Sequence, residues 1–332
     1  MEQVILTGPG HLSSRSVAEP NVSENEALVK MERIGVCGSD FHAFSGKHPA
    51  YIYPRVLGHE CACTVLTAPQ NEFGVKVGDR CAIDPYVNCG ACSMCLAGRT
   101  NCCERLEVLG VHRDGGMQEF LAVPLRLLYP SELLSLEELA LVETLGIGAH
   151  AVARSEIREG ESALVVGAGP IGLATALFAQ VAKADVILVE INEERRDFVA
   201  RLGFKTAALV GDIQSAVVYD ATGNPQVMAN SLKHVTQGGK LVFVGLTNDP
   251  VALDDFLFHR KELTLYSSRN SAGQFRRIIE LLEEKKISVK EWITHRLSLL
   301  ELPDKFSGLS SHPGLIKAVV DVPQRAVETV QG

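Results

Sequence analysis

The sequence predicts an α/β fold in which a mainly β part comes first and a doubly wound parallel sheet follows. Up to about residue 130, short strand-like segments such as residues 26–31, 62–66, 80–83 and 119–123 are separated by glycine and proline. From residue 136 onwards, helix-like and strand-like segments alternate, which is typical of βαβ units. Such alternation predicts a parallel sheet.

The alternating part can be divided into elements. The predicted helices are residues 136–154, 171–182, 193–202 and 274–285, and the predicted strands are residues 163–166, 186–189, 216–219, 241–244 and 263–266. Asn192 is a favourable N-cap for the third helix segment, and Gly203 is a favourable stop. Asn224 and Pro225 predict a further helix start between two of the strands.

Length and composition limit the possible classes of protein. A chain of 332 residues with 46% hydrophobic residues fills more than one ordinary core, so we expect two domains. No apolar run approaches the ~20 residues needed to cross a bilayer, and the first residues lack the features of a signal peptide, so we expect a cytoplasmic location. The net charge of −8 argues against broad nucleic-acid binding, and neither nucleic acid nor membrane is an expected partner.

A glycine-rich turn follows the first predicted strand of the sheet. Its key residues are Gly167, Gly169, Pro170, Ile171 and Gly172. A turn of this kind, opening a helix, presents backbone N–H groups to a pyrophosphate. The alternative is a glycine turn in an α/β fold that binds no nucleotide. That alternative is weakened by an acid, Glu190, at the end of the next strand, where it can bind ribose hydroxyls.

The residues around Glu190 also bear on the choice of dinucleotide. A carboxylate there repels a 2′-phosphate, which favours NAD over NADP. Arg195 and Arg196 follow a few residues later and either reach towards the adenosine ribose or form a solvated helix face.

All nine cysteines lie between Cys37 and Cys103. Four of them, Cys89, Cys92, Cys95 and Cys103, form a short loop that can close a tetrahedral zinc site with no open position. Such a site is structural. The alternatives are Cys102 in place of Cys103, an iron–sulfur cluster, or a zinc ribbon that binds DNA, for which the basic surroundings are missing.

Three further ligand types lie outside this loop: the Cys37 thiolate, the His59 imidazole and the Glu60 carboxylate. Mixed ligands predict a catalytic metal. Taken singly, Cys37 would be a small core residue and His59 a hydrogen-bonded histidine. The dinucleotide turn in the same chain favours the catalytic interpretation.

These features occur together, in the same order, in one known family. Residues 35–42, the Gly58-His59-Glu60 run, the cysteine loop and the glycine-rich turn resemble the zinc-containing medium-chain alcohol dehydrogenases. The resemblance spans nearly the whole chain. It implies a GroES-like catalytic domain at residues 1–144 with a structural zinc lobe at about 86–104. A Rossmann NAD-binding domain at 145–267 and a return to the catalytic domain at 268–332 would follow.

The resemblance also implies roles for single residues. Cys37, His59, Glu60 and Glu143 would surround a catalytic zinc, with Glu60 as a direct or exchangeable ligand. Glutamate at position 143, in a stretch that ends at His150, resembles polyol dehydrogenases, although Thr144 stands where many of them have proline. Two zinc ions per chain, one catalytic and one structural, are therefore expected.

The same resemblance gives a proton path and a substrate side. Ser39 would take the proton of the substrate hydroxyl, His42 would carry it outward, and Asp40 would orient His59. The alternative for Ser39 and Asp40 is turn capping.

Arg269 and Asn270, after the last strand, would contact a polyol or a sugar acid. Residues 47–60 are somewhat more similar to the L-galactonate and L-gulonate dehydrogenases.

Three further expectations follow from the resemblance. The protein is expected to be a homodimer or homotetramer that oxidises a secondary alcohol with NAD, or else a non-catalytic redox sensor of the same fold. Between Leu202 and Asp220 the chain is shorter than the family needs for a strand, a full helix and a connection. We therefore expect the crossover helix to be reduced or absent.

Overall fold

The computed structural model describes residues 1–323 and has two large β-sheets. Up to residue 130 the elements are β1 (Glu2–Gly8), β2 (His11–Ser16), β3 (Glu26–Val36), α1 (Gly38–Phe44), β4 (Glu60–Thr67), β5 (Arg80–Ile83), β6 (Tyr86–Val87), α2 (Ser93–Leu96), β7 (Glu107–Val108), β8 (Phe120–Pro124) and β9 (Leu128–Pro130). The mainly β character predicted for this part is confirmed.

From residue 136 onwards helices and strands alternate. The elements are α3 (Leu136–Ala140), α4 (Val142–Ser155), β10 (Ser162–Val166), α5 (Pro170–Val181), β11 (Asp185–Val189), α6 (Glu193–Arg201), β12 (Lys205–Ala207), β13 (Ser215–Asp220), α7 (Pro225–Ser231), β14 (Val235–Phe243), α8 (Asp255–Arg260), β15 (Thr264–Ser267), α9 (Phe275–Glu283), β16 (Ile293–Ser298), α10 (Leu302–Leu309) and β17 (Lys317–Asp321). Short 3₁₀ helices at Thr100–Cys102, Leu125–Leu127, Leu232–His234 and Leu299–Glu301 complete the described secondary structure.

The seven-stranded sheet combines strands from both ends of the chain. Its order is β16-β17-β3-β4-β5-β9, with β8 paired to β3. The central strand β3 is antiparallel to β17, with Ala318 opposite Val36. Burial alternates along the first half of β3, so that Val29 and Met31 enter the core. The C-terminal part of the chain thus returns to the first sheet.

The six-stranded sheet is parallel throughout and has the order β12-β11-β10-β13-β14-β15. This is the doubly wound Rossmann arrangement predicted from the alternating segments. Residues of β10 alternate between the faces: Val165 packs in the cluster that contains α4 and α5, whereas Leu164 and Val166 pack with Leu232 on the opposite face. Both faces are therefore covered by other elements.

The connection between β12 and β13 has no helix. Residues 208–214 form a turn in which the Ile213 N–H donates to the Val210 carbonyl at 3.1 Å. Val210 and Ile213 pack against the sheet face where a crossover helix would lie. The prediction that this helix is reduced or absent is confirmed.

One helix prediction is wrong, and two predicted domain boundaries are not tested by the structure. The single helix predicted for residues 136–154 is wrong, because α3 ends before Leu141 and a second helix starts at Val142. The domain boundary at residue 144 falls in the first turn of α4 and stays a prediction, as does the one at residue 268. No helix among residues 1–323 is long and apolar enough to cross a membrane.

Candidate active site

Cys37, His59 and Glu60 are brought together by the pairing of β3 with β4. Cys37 follows β3 as the N-cap of α1, while Glu60 is the first residue of β4 and His59 directly precedes it. Their ligand atoms all lie within 4.8 Å of one another. Gly35 is opposite Glu60 in the ladder, and a Cβ at Gly35 would lie 2.0 Å from Glu60 Oε2. Glycine is therefore required there to make room for the Glu60 carboxylate.

The donor set and the local charge fit a zinc ion. Zinc bonds of about 2.0–2.3 Å in tetrahedral geometry place neighbouring ligand atoms roughly 3.3–3.8 Å apart, within the observed spacing. Burial alone lowers the pKa of His59, but the negative charges of Cys37 and Asp40 outweigh it and the net shift is upward. A buried site with this excess of negative charge is complementary to a cation.

Lys317 is a partner of Glu60 that the sequence analysis missed. Its ammonium group lies 2.6 Å from Glu60 Oε1 and 2.5 Å from Oε2, and both side chains are almost completely buried. Lys317 is also 3.4 Å from the Val36 carbonyl oxygen. The sequence did contain a signal for this pair, because Lys317 stands directly before an apolar run in β17. A lysine is almost never buried without a partner, so a lysine at this place indicates a buried acidic group nearby.

Glu143 lies near the three ligand residues, but its carboxylate is outside their closely spaced group. It is buried in the first turn of α4, and its carboxylate accepts a hydrogen bond from the Tyr86 hydroxyl. Burial raises the pKa of Glu143, and the charge of Glu60 adds to the increase. The group of closely spaced ligand atoms in residues 1–323 contains Glu60 and not Glu143. Tyr86 was not singled out from the sequence.

The residues expected to move a proton lie on α1. Ser39 Oγ is 3.5 Å from His59 Nε2, and His42 is exposed in the last turn of the helix. Asp40 is fully buried, with Oδ1 3.8 Å from His59 Nδ1 and Oδ2 accepting the Cys37 N–H at 2.9 Å. Asp40 therefore caps the turn and also lies beside His59, so the two interpretations of this residue are compatible.

The four-cysteine loop forms a compact group. The sulfur atoms of Cys89, Cys92, Cys95 and Cys103 all lie within 4.8 Å of one another. Backbone N–H groups of Ala91 and Cys92 lower the pKa of Cys89 to about 6, which favours the thiolate. Cys102 is outside the group and lies 3.9 Å from an Arg99 nitrogen. The spacing fits a closed tetrahedral metal site made with Cys103.

The glycine-rich turn has the geometry of a phosphate cradle. Gly167 adopts a φ of +94°, and a Cβ at Gly172 would lie 1.8 Å from the Gly167 carbonyl oxygen. Gly169 is the N-cap of α5, Pro170 is its first residue and Ile171 its second. The helix therefore begins directly at the turn, with its free N–H groups facing the expected pyrophosphate position.

The Glu190 side chain links the glycine-rich turn to the turn that follows β11. Its carboxylate accepts N–H groups of Ala168 and Asn192, each at 2.9 Å, and lies 3.4 Å from Arg195. Arg196 donates to the Glu190 carbonyl oxygen at 3.1 Å. Both arginines thus contact Glu190 itself instead of forming only a solvated helix face.

Arg269 and Asn270 lie where β15 ends. Arg269 is exposed, and its carbonyl oxygen accepts a hydrogen bond from Asn101 of the cysteine loop at 3.0 Å. Asn270 has a φ of +58°, and its buried Nδ2 has no hydrogen-bond partner among residues 1–323. An unpaired buried amide is costly, which is consistent with a polar molecule binding there.

Comparisons with known proteins match this architecture. Residues 23–132 match the alcohol dehydrogenase GroES-like domain, and residues 170–284 match the zinc-binding dehydrogenase domain. The chain is 38% identical to the L-galactonate-5-dehydrogenase of Escherichia coli K12 over 96% of this chain and 98% of that protein. The chain belongs to the zinc-containing medium-chain alcohol dehydrogenases.

Solved structures of this dehydrogenase family agree in fold. A zinc-binding dehydrogenase from Sinorhizobium meliloti 1021 bound to NADP superimposes with a TM-score of 0.90 at 30% identity, covering 96% of this chain and 98% of that one. A protein named as a short chain alcohol dehydrogenase (rspB) from Escherichia coli CFT073, complexed with NADH, superimposes with a TM-score of 0.90 at 28% identity, covering 97% of this chain and 99% of that one.

The matches lie in the sugar-acid and polyol branch of the family. The chain is thus a zinc-dependent, nicotinamide-dependent oxidoreductase, and the sensor alternative is not favoured.

Proposed function

We propose that this dehydrogenase oxidises a secondary alcohol of a polyol or a sugar acid and transfers the hydride to NAD. The observation that carries the proposal is the close grouping of Cys37, His59 and Glu60 ligand atoms, within 4.8 Å, in a chain that also has the phosphate cradle. The similarity to an L-galactonate dehydrogenase supports this substrate class.

The proposed residues divide the chemistry among them. When bound, zinc supplies a Lewis acid that lowers the pKa of the substrate hydroxyl, and the nicotinamide accepts the hydride. Cys37 and His59 would hold the metal together with Glu60, while Asp40, whose Oδ1 lies 3.8 Å from His59 Nδ1, would orient His59 through its charge. Ser39, 3.5 Å from His59 Nε2, would accept the hydroxyl proton.

His42 would pass that proton on to solvent, since it is exposed at the end of α1.

The two glutamates are proposed to alternate as ligands. Glu60 is held by Lys317 and Glu143 by Tyr86, so each carboxylate has a partner when it is away from the metal. Exchange between them would then leave no buried carboxylate unpaired, which lowers the free-energy cost of exchange.

The cofactor preference is proposed to be NAD over NADP. Glu190 is buried at the end of β11 and would accept ribose hydroxyls, whereas a 2′-phosphate would meet its negative charge. Arg195 lies 3.4 Å from Glu190 and reduces this repulsion without removing it.

On the substrate side, Arg269 and Asn270 are proposed to contact hydroxyl groups. Cys89, Cys92, Cys95 and Cys103 are proposed to hold a second, structural zinc.

Assembly and location are also proposals. A homodimer or homotetramer is supported by β15, which is an edge strand of the six-stranded sheet, and by the strongly exposed Leu246 and Phe256 in the connection before it. Light scattering of the purified protein measures the assembly. A reducing compartment such as the cytoplasm suits a thiolate-rich metal loop.

The test is reduction of NAD and NADP by the purified enzyme with a panel of polyols and aldonates, before and after chelation of zinc. Turnover with NAD that chelation abolishes supports the proposal. Turnover that persists in metal-free protein, or binding of NAD and zinc without turnover on any panel member, contradicts it.

A further inference from the structure

The four-cysteine loop contacts the segment that follows β15. Asn101 lies in the 3₁₀ helix Thr100–Cys102, two residues before Cys103. Its Nδ2 donates a hydrogen bond to the Arg269 carbonyl oxygen at 3.0 Å. Because a carbonyl oxygen only accepts, the amide must present its nitrogen there and not its oxygen. The loop that is expected to hold the structural metal is therefore joined to the residue proposed to contact the substrate.

The amide of Asn101 also reaches a second element. Its Nδ2 lies 3.5 Å from His150 Nε2 on α4, the helix whose first turn contains Glu143. Burial, followed by the charge of Arg154, lowers the pKa of His150 to about 4, so the ring is neutral near pH 7 and can accept a hydrogen bond. An amide nitrogen carries two hydrogens, one for each of these acceptors. Asn101 thus bridges α4 and the segment after β15.

The segment 269–273 has few other contacts that hold its shape. Asn270 and Ala272 have φ values of +58° and +44°, which residues with a side chain rarely adopt. In the described part of the chain, the bond from Asn101 is the only hydrogen bond that joins residues 269–273 to another element. Such a backbone persists only where its surroundings impose it. Ser271 is buried against α4 at the far side of the segment, so Asn101 is the polar contact that fixes its beginning.

The Arg269 side chain is free to meet a ligand. It is exposed, and its guanidinium has no hydrogen bond or ion pair within residues 1–323. His112, which follows β7, lies within electrostatic reach of Arg269, and His48 lies within reach of both His112 and His59. The guanidinium therefore faces the half of the molecule that carries the candidate zinc site. Since no side-chain contact holds it, its location depends on its own backbone.

We propose that Asn101 is a positioning residue for the substrate, because it holds the Arg269 backbone where the guanidinium meets the substrate. The inference rests on the proposed function, in which Arg269 contacts hydroxyl groups. Asn101 lies between two of the four clustered cysteines, so the four-cysteine loop contributes to substrate affinity as well as to stability. Loss of the bond loosens the segment 269–273 and weakens substrate binding, whereas the residues that carry the chemistry stay in place.

The test is Asn101→Asp, which keeps the shape of the side chain but replaces the donor by a carboxylate that repels the Arg269 carbonyl oxygen. The substrate is the compound with the highest kcat/KM among L-galactonate, L-gulonate, galactitol and sorbitol. KM should rise about 3- to 10-fold, the effect of one lost hydrogen bond, while kcat changes by less than about 2-fold. Asn101→Ala adds no charge and should act in the same direction.

The matched control is Asn88→Asp. Asn88 directly precedes Cys89, so this variant adds the same charge beside the same cysteines. Its side chain has no hydrogen-bond partner in the described residues. KM should therefore stay within about 2-fold of the wild-type value. A zinc content of about two per chain in all these variants, measured by mass spectrometry, shows that the four-cysteine loop is intact.

A second comparison separates positioning from a general structural role. If Asn101 acts through Arg269, Asn101→Asp should raise KM by less than about 2-fold in an Arg269→Gln background, because the group to be positioned is gone. Hydrogen exchange of residues 268–274, followed by mass spectrometry, should be faster in Asn101→Asp and unchanged in Asn88→Asp.

A KM that is no higher in Asn101→Asp than in the control overturns the inference. So does an equal rise in the Arg269→Gln background, or an Arg269→Gln enzyme with the KM of the wild type. Loss of zinc in both Asn101 variants also overturns it, because the side chain would then act on the metal loop. If the wild type oxidises none of the four compounds, the proposed function fails. Faster exchange confined to residues 268–274 in Asn101→Asp would then still support the positioning role, and unchanged exchange would overturn it.

Discussion

Replacing Lys317 by methionine should destabilise the protein strongly. The Lys317 and Glu60 side chains are 2% and 0% exposed, and the ammonium group contacts both carboxylate oxygens at 2.5–2.6 Å. Removing one partner leaves a buried, unpaired charge, which costs about 3–5 kcal/mol. At about 2 °C per kcal/mol for a chain of this size, the Tm should fall by about 6–10 °C.

Scanning calorimetry of the metal-free protein measures the effect, because a bound zinc ion would itself compensate the charge of Glu60. The matched control is Lys305→Met, which breaks an exposed pair with Glu301 (57% and 43% exposed) and should lower the Tm by only about 1 °C. Adding Glu60→Gln to Lys317→Met should recover part of the loss, because the unpaired charge is then removed. A loss in Lys317→Met no larger than in the control would refute the reasoning.

The other expected outcomes concern metal and cofactor. His59→Ala should abolish turnover and reduce zinc from about two to about one per chain by mass spectrometry, whereas retained turnover would remove His59 from the active site. Cys103→Ser should lose the other zinc while Cys102→Ser keeps both; equal loss from the two variants would contradict the choice of Cys103. Glu190→Ala should raise the Kd of NAD far more than that of NADP in a fluorescence titration, and an equal rise would mean that Glu190 does not contact the ribose.

The parts of the site that the residues alone could predict are those whose geometry is local, whereas the grouping of Cys37 with His59 and Glu60 was implied by the family resemblance. The glycine-rich turn and the cysteine loop are each contained in a short stretch, so residue spacing alone determines which atoms meet. The Rossmann sheet was predictable because alternating strands and helices have few permitted topologies. Comparing the length between Leu202 and Asp220 with the length that the family needs was enough to predict that the crossover helix is reduced or absent.

The parts that could not be predicted depend on long-range register. Lys317 is 257 residues from Glu60, and they meet only because β17 pairs with β3, beside β4. Tyr86 is 57 residues from Glu143, in a two-stranded ribbon whose partner no local pattern identifies.

The break between α3 and α4 was missed for a different reason. The apolar periodicity continues through Leu141, but the backbone at Leu141 has a φ of −85° and a ψ of −6°, which departs from helix values and divides the segment in two.

The helix-free connection after β12 has almost no slack as long as its turn is kept. Through the pairing of neighbouring strands, Ala207 in β12 lies in the same row of the sheet as Asp220 in β13, three strand spacings away. The strand β13 begins at Ser215, five residues before Asp220. Spacings of about 4.8 Å between strands and about 3.3 Å per residue make the diagonal about 22 Å.

With its turn intact, the chain supplies only slightly more than this distance. The turn from Val210 to Ile213 spans less than about 7 Å, so residues 207–215 reach about 24 Å in total. Removing even one residue here should therefore abolish the turn from Val210 to Ile213, because seven steps must be fully extended, at about 23–25 Å, to cover this distance, whereas an insertion can simply bulge into solvent.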